Sequence, residues 1–141
     1  MDSQDQFLKS IRGTVFLAEQ KVIAVIDDDL GILASVELVL SSCGYHTELF
    51  ASAEEFISAA PTLEAACLVV DIQLGEISGV ELIRALCPQG CAVPVIFITG
   101  FQDELYRREA MELGCAAFLL KPFSAERLIE TVRKAIGSKL N

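Results

Sequence analysis

Five short apolar runs recur along the chain from residue 21, and segments with a helical spacing of apolar residues separate them. The runs are 21–27 (KVIAVID), 46–50 (HTELF), 67–71 (CLVVD), 94–99 (PVIFIT) and 116–120 (AAFLL). Most of them are continuous rather than alternating, which is typical of strands that are covered on both faces. The pattern therefore predicts a parallel sheet with helices on either side, a small doubly wound α/β domain.

Serine and glycine residues mark the ends of the intervening helices. The helices that begin at Ser52 and Ser78 carry the S-x-x-E pattern of a capping box, in which both side chains bond to free backbone N–H groups. Glycine commonly ends a helix because it accepts the left-handed backbone conformation there. We therefore expect helices to end at Gly44, Gly114 and Gly137.

The length and composition of the chain fit one domain. It has 141 residues, of which 52% are hydrophobic, enough for a sizeable core. We expect the domain to occupy residues 21–139, with residues 1–20 forming a partly ordered N-terminal extension. The formal net charge of −9 repels phosphate backbones, so we expect no direct binding of nucleic acid and an attraction for cations instead.

Membrane and disulfide signals are both weak in this sequence. It contains no stretch of about 18 apolar residues and no signal-peptide pattern, so we expect a soluble, cytoplasmic protein without a membrane partner. Its five cysteines are an odd number in mostly apolar surroundings, and we interpret them as small buried side chains in a reducing compartment. The spacing of Cys87 and Cys91 also fits a metal or redox pair, which is the less favoured interpretation.

Four of the five predicted strands end in polar or charged residues. These residues are Asp27, Asp28 and Asp29 after the first strand, Asp71 after the third, Thr99 after the fourth and Lys121 after the fifth. Ligands of doubly wound sheets bind outside the carboxyl ends of the strands, so we expect these groups to share one site. Polar residues often begin where strands end, but that alone does not explain a set of carboxylates, one hydroxyl and one lysine.

The chemistry of this set favours a metal-assisted reaction at phosphorus. Adjacent carboxylates repel one another unless a cation lies among them, and oxygen ligands together with water suit Mg²⁺. The phosphate-binding motifs G-x-x-x-x-G-K-[ST] and G-x-G-x-x-G are absent from the sequence, which argues against nucleotide pockets of those kinds. A carboxylate next to Mg²⁺, a lysine and a hydroxyl can instead attack phosphorus and form an acyl phosphate.

In their order and spacing, these motifs resemble the receiver domain of two-component response regulators. The matching features are the acidic pair after the first strand, Asp71 at the end of CLVVD, FITG around Thr99 and LLKPF around Lys121. The resemblance extends over about residues 21–137, and PVIFITG and AFLLKPF are most similar to receivers of the nitrogen-fixation type, which usually precede a DNA-binding module. It implies a flavodoxin-like (β/α)5 fold whose five-stranded parallel sheet has the order 2-1-3-4-5.

The resemblance implies a phosphoacceptor and a metal site. Asp71 would accept the phosphoryl group. Asp27, Asp28, Asp71 and the backbone carbonyl of Gln73 would hold Mg²⁺ or Mn²⁺. Asp29 is a further candidate for the metal site, although the first two aspartates of the run match the family pattern better.

The resemblance also implies a switch. Thr99 and Lys121 would contact the phosphoryl group, Phe118 would be the switch aromatic residue, and Pro122 would follow a cis peptide bond. One departure from the family is that Gly75 stands where receivers usually carry a proline. Because glycine loosens a turn, we expect the loop after the third strand to be more mobile, which would affect the lifetime of the phosphoryl group and the fit of partners.

We therefore expect a phosphoprotein of a phosphorelay, a signalling domain rather than an enzyme. It would receive its phosphoryl group from a sensor histidine kinase or phosphotransfer protein and switch a surface that binds a protein target or an output domain absent from this chain. Homodimer formation on phosphorylation stays open.

Two alternatives remain open. One is a small phosphohydrolase that uses the D-x-D pattern of Asp27 and Asp29. The other is a receiver-like interaction module that is never phosphorylated. The complete set of acids, threonine and lysine argues against the interaction module, whereas Gly75 slightly favours it.

Overall fold

The computed structural model describes residues 20–140, which form an α/β domain around one parallel sheet. The strands are β1 (Val22–Ile26), β2 (His46–Phe50), β3 (Cys67–Asp71), β4 (Val95–Thr99) and β5 (Ala117–Leu120). Their order in the sheet is β2-β1-β3-β4-β5, and every neighbouring pair is parallel. The expected fold class and strand order are confirmed, while residues 1–19 of the predicted extension lie outside the described residues.

A helix follows each strand. The helices are α1 (Leu30–Ser42), α2 (Ala53–Ala59), α3 (Gly79–Leu86), α4 (Glu104–Glu112) and α5 (Ala125–Leu140), with 3₁₀ turns at Ala60–Thr62 and Phe101–Asp103. The expected end of the last helix at Gly137 is wrong, because α5 continues to Leu140. Glycine weakens a helix by about 1 kcal/mol but does not force it to stop. Among these helices, none is long and apolar enough to cross a membrane.

The two predicted capping boxes differ in the structure. At the start of α3, the Ser78 hydroxyl accepts a hydrogen bond from the Glu81 N–H, and the Glu81 carboxylate accepts one from the Ser78 N–H. At the start of α2, the Ser52 hydroxyl accepts from the Glu55 N–H at 3.1 Å. The Glu55 carboxylate there accepts from the Ser52 hydroxyl, so only half of the second box forms.

Apolar clusters cover both faces of the sheet, as the continuous apolar runs predict. One cluster packs α1 and α5 against the sheet, with Leu33 and Leu128 among its buried residues. The other packs α2, α3 and α4 against the opposite face and contains Phe56 and Ile83. Strands β3 and β4 are buried along their whole length, and β1 is buried except at its first residue. Close packing on two faces fixes the residues that follow these strands.

The cysteines depart from the sequence-based interpretation. Cys87 and Cys91 form a disulfide in the loop between α3 and β4, with their Cα atoms 5.1 Å apart. The interpretation as small free thiols is therefore wrong for this pair. Cys67 is a buried free thiol, whose pKa burial raises to about 12, and Cys43 and Cys115 are half-buried free thiols.

Candidate functional site

Three predicted acidic residues come together at the carboxyl edge of the sheet. Asp27 directly follows β1, Asp28 lies in the bend before α1, and Asp71 is the last residue of β3. One carboxylate oxygen from each of them lies within 4.8 Å of the other two. Asp27 and Asp71 are buried, whereas Asp28 is exposed, so the cluster opens to solvent on one side.

The third aspartate of the DDD run has a different role. The Asp29 carboxylate caps α1, because its Oδ1 accepts hydrogen bonds from the N–H groups of Gly31 at 2.9 Å and Ile32 at 3.2 Å. Its own N–H donates to Asp27 Oδ1 at 2.9 Å. The run therefore divides into two acids that face the cluster and one helix cap, which explains why the chain tolerates three neighbouring carboxylates.

Lys121 supplies positive charge to the cluster. Its Nζ lies 3.0 Å from Asp71 Oδ2 and 3.6 Å from Asp27 Oδ2. The lysine directly follows β5, its backbone N–H donates to the Thr99 carbonyl at 2.8 Å, and its peptide bond to Pro122 is cis. Partial burial lowers the pKa of Lys121, but the hydrogen bonds and attraction of the two aspartates outweigh it and raise the pKa above its usual range. The lysine is therefore charged.

The Asp27 carboxylate is in an electrostatically unfavourable environment. It is fully buried, and within the described residues its Oδ2 has no hydrogen-bond partner. Burial raises the pKa of Asp27 to about 7; the Asp29 N–H opposes this shift, and repulsion from Asp71 adds to it. A buried carboxylate oxygen without a partner costs free energy that a cation would remove. Three carboxylates at this spacing fit a hard divalent ion such as Mg²⁺.

Thr99 and Gln73 lie close to Asp71 along the sheet edge: Thr99 follows Ile98, the register partner of Asp71, and Gln73 lies two residues after Asp71. Thr99 ends β4 and is fully buried, and its hydroxyl has no hydrogen-bond partner in the described part of the chain. Such a hydroxyl suits a site whose ligand supplies the missing acceptor. The Gln73 N–H donates to Asp71 Oδ1 at 3.1 Å, which fixes the orientation of the carboxylate. The role of the Gln73 carbonyl as a metal ligand stays a prediction.

Phe118 lies on β5, three residues before Lys121, and is half-buried. The guanidinium carbon of Arg107 on α4 lies 4.5 Å from the centroid of the Phe118 ring, a cation–π contact. Phe118 is also in register with Phe97 of β4, the strand that Thr99 ends. The predicted switch residue is thus adjacent to the strand that carries the predicted switch hydroxyl.

Asp103 is a further residue of the candidate site, and none of the sequence motifs indicated it. It is buried at the end of the 3₁₀ turn before α4, where its Oδ2 accepts from the Gly100 N–H at 2.6 Å and its Oδ1 accepts from Gln73 Nε2. It lines the same cavity of about 360 Å³ as Asp71 and Lys121. The local sequence around Asp103 contains only a weak indication of this role, an acid three residues after Gly100 near the start of a helix.

The fold and the site together define a class of protein. A doubly wound sheet of order 2-1-3-4-5 that gathers three aspartates, a threonine and a lysine at its carboxyl edge is the architecture of a receiver domain in two-component signalling. The chain belongs to this family: the model of the response regulator receiver domain matches residues 23–133. Receivers of response regulators are signalling domains that interact with histidine kinases and output domains.

Individual relatives agree with this assignment. The transcriptional regulatory protein FixJ of Bradyrhizobium diazoefficiens is 37% identical over 114 residues, which cover 81% of this chain and 56% of the relative. The response regulator protein TodT of Pseudomonas putida is 33% identical over 115 residues, which cover 82% of this chain and 51% of the relative. The chain thus spans about half the length of these curated relatives.

Solved structures show the same fold. Full-length FixJ from B. japonicum superposes with a TM-score of 0.79 at 34% identity, covering 86% of this chain and 60% of that chain. A CheY-like response regulator receiver domain protein from Methanospirillum hungatei gives a TM-score of 0.80 at 25% identity, covering 86% of this chain and 97% of that one. The second structure matches over nearly its whole length.

Proposed function

We propose that this receiver accepts a phosphoryl group on Asp71 from a sensor histidine kinase or a phosphotransfer protein, in a reaction that depends on Mg²⁺ or Mn²⁺. The observation that carries the proposal is the setting of the Asp71 carboxylate. Its Oδ1 accepts from the Gln73 N–H and its Oδ2 lies 3.0 Å from Lys121 Nζ, so both oxygens are oriented within an acidic pocket. A held carboxylate next to a fixed ammonium is suited to attack on phosphorus.

The transfer exchanges one bond for another. An Asp71 oxygen bonds to phosphorus as the phosphorus–nitrogen bond of the donor phosphohistidine breaks, and the imidazole leaves with the bonding electron pair. The product is an acyl phosphate on Asp71. Lys121 already contacts Asp71 Oδ2, so its ammonium is placed to stabilise negative charge on the phosphoryl oxygens.

The carboxylates of Asp27, Asp28 and Asp71 would hold the metal ion, and the backbone carbonyl of Gln73 is the proposed further ligand. The donor set supports this assignment because it consists of oxygens and includes the buried, unpartnered Asp27 Oδ2. When bound, Mg²⁺ supplies charge neutralisation for the transferring phosphoryl group. The orientation of the Asp27 carboxylate is fixed by a hydrogen bond that its Oδ1 accepts from the Asp29 N–H.

Phosphorylation would act on the partner-binding surface through Thr99 and Phe118. The phosphoryl oxygens offer the buried Thr99 hydroxyl the acceptor that it lacks. Movement of Thr99 toward them alters the packing next to Phe118, on which Arg107 rests. We propose the surface formed by α4 and β5 as the response surface for a protein target, an output domain or a second copy of the chain.

The proposed receiver unit is residues 21–139, preceded by the extension at residues 1–20. The net charge of −9 supports a domain that contacts proteins rather than nucleic acid. A cytoplasmic location and the absence of further catalytic activity stay predictions.

Incubation with acetyl phosphate and Mg²⁺, followed by intact mass measurement, tests the proposal. We expect a mass increase of about 80 Da, one phosphoryl group on the nucleophile, which Asp71→Asn and EDTA abolish. Glu76→Gln is the matched control, since it removes an exposed carboxylate from the neighbouring loop.

Two other outcomes contradict the proposal. Turnover of phosphate esters that Asp27→Asn abolishes would identify a phosphohydrolase. A folded protein that takes no phosphoryl group from acetyl phosphate or from phosphorylated kinases would be an interaction module.

A further inference from the structure

Asp103 joins two loops that border the proposed phosphorylation pocket. The residue is only 1% exposed. Oδ1 accepts a hydrogen bond from Gln73 Nε2 at 2.5 Å, and Oδ2 accepts one from the Gly100 N–H at 2.6 Å. Gln73 lies two residues after Asp71, and Gly100 directly follows Thr99. One buried carboxylate therefore ties the loop after the phosphoacceptor to the loop after the switch hydroxyl.

Both hydrogen-bond donors to the Asp103 carboxylate are neutral groups. No lysine, arginine or histidine among the described residues forms an ion pair with it. Asp103 is also outside the group of carboxylates that can share a metal ion. The two hydrogen bonds, each assisted by the charge of the carboxylate, are thus the interactions that fix this side chain between the loops.

A phosphoryl group on Asp71 would disturb this arrangement. It adds negative charge and acceptor oxygens to the cavity that Asp71, Gln73, Gly100 and Asp103 all line. The new charge repels the Asp103 carboxylate, and the new oxygens compete with it for N–H donors. Both effects are strong because the carboxylate is buried and weakly screened by water.

We propose that Asp103 is a positioning residue that holds the loop after β4 in its unphosphorylated arrangement and is released by phosphorylation of Asp71. The inference rests on the proposed function, because the release requires a phosphoryl group. Release frees the Gly100 N–H and lets the backbone at Thr99 move toward the phosphoryl oxygens. Asp103 therefore sets the balance between the two arrangements and takes no part in the bond-making step.

Two variants remove the connection in different ways. Asp103→Ala deletes the acceptor for both Gly100 and Gln73. Gln73→Met has a side chain of similar length without a hydrogen-bond donor, so it cuts only the bond between the loops and keeps the backbone N–H that orients Asp71. Glu104→Ala is the matched control, because it removes an exposed acid from the next position in the chain.

The first measurement is hydrogen exchange of the Gly100 amide in the unphosphorylated protein, followed by NMR. We expect Asp103→Ala to speed exchange about tenfold, the factor that one hydrogen bond to a charged group is worth. Glu104→Ala leaves the exchange rate unchanged. Equal exchange rates in wild type and Asp103→Ala would show that Asp103 does not hold this loop.

The second measurement is the rate of phosphorylation by acetyl phosphate. Because phosphorylation favours the released arrangement, we expect that arrangement to be the reactive one. Both variants increase its population and should raise the rate, Asp103→Ala by about tenfold. The double variant then reacts like Asp103→Ala alone, since both changes break the same connection. A merely structural Asp103 would give a less stable protein with an unchanged or slower rate, and that result overturns the inference.

The two proposals fail in different ways. A wild-type protein that takes no phosphoryl group refutes the proposed function, whatever the exchange rates are. A wild-type protein that is phosphorylated on Asp71, together with an Asp103→Ala variant that reacts no faster, refutes only the role of Asp103.

Discussion

Replacement of Asp27 by asparagine is expected to stabilise the metal-free protein while it removes a proposed metal ligand. Asp27 is fully buried, and its Oδ2 has no hydrogen-bond partner among the described residues. Burial raises the pKa of this carboxyl from 3.8 to about 7. The Asp27 carboxyl therefore loses its proton near pH 4 in the unfolded chain, whereas in the folded protein it keeps the proton until about pH 7. Between these values the folded state binds more protons, so stability falls as the pH rises.

The size of the effect follows from the pKa shift. About three pKa units at about 1.4 kcal/mol each set an upper limit of about 4 kcal/mol above pH 7. The contact between Asp27 Oδ2 and Lys121 Nζ at 3.6 Å is lost in the variant and reduces the gain. Asparagine keeps the acceptor for the Asp29 N–H and adds a donor for Asp71. We expect a net stabilisation of about 2 kcal/mol, or a rise in Tm of about 5 to 10 °C.

Urea and thermal unfolding of the wild type and Asp27→Asn in EDTA check this prediction. The difference in unfolding free energy should be largest at pH 8 and close to zero at about pH 3, below the unfolded-state pKa of 3.8, where the wild-type carboxyl is mostly protonated in both states. Added Mg²⁺ should stabilise the wild type much more than the variant. If Asp27→Asn is no more stable than the wild type at pH 8 without metal, the buried charge is already compensated and the reasoning is wrong.

Three further predictions concern other parts of the domain. Thr99→Val removes a buried hydroxyl without a partner, so it should stabilise the unphosphorylated protein by about 1 kcal/mol in urea unfolding. The same variant should slow the conformational response to phosphorylation. Cys87→Ser opens a loop of about five residues and should cost about 2 kcal/mol under oxidising conditions; thiol titration of the unreduced wild type should not detect Cys87 or Cys91. Arg107→Gln removes the cation–π contact and should lower the free energy of unfolding by about 0.5–1 kcal/mol. In a double-mutant cycle with Phe118→Leu the two effects should not be additive, because both changes remove the same contact.

The sheet could be predicted from sequence because its central strands are covered on both faces. Continuous apolar runs such as CLVVD leave little choice of structure, and the strand ends then follow within about a residue. The positions of Asp27, Asp71, Thr99 and Lys121 at one edge follow from the parallel direction of the strands. These residues could be grouped without knowledge of their distances.

Other features depend on tertiary structure that no local pattern contains. An acid at position 103 has the same local signature as an exposed residue at the start of a helix, and only its bonds to Gln73 and Gly100 reveal its burial. Likewise, the bond between Cys87 and Cys91 depends on the turn that brings them together, where Gly90 adopts a φ of 96°. The separate role of Asp29 as a helix cap required the path of the chain after β1.

The proposed site concentrates the unmet polar interactions of the domain at the place where a ligand would supply them. In the part of the chain that the structure describes, Asp27 Oδ2 and Thr99 Oγ1 are the buried side-chain polar atoms without a hydrogen-bond partner. One is an anionic oxygen that a metal ion would satisfy, and the other is a hydroxyl that a phosphoryl oxygen would satisfy. Asp103, in contrast, has both oxygens hydrogen-bonded in this structure, and a phosphoryl group on Asp71 is proposed to disturb those bonds. In the proposed mechanism, metal binding and phosphorylation would therefore remove two costs, at the ends of β1 and β4, and create one in the loop after β4. Such a change in free energy would let a small chemical change favour a different loop arrangement.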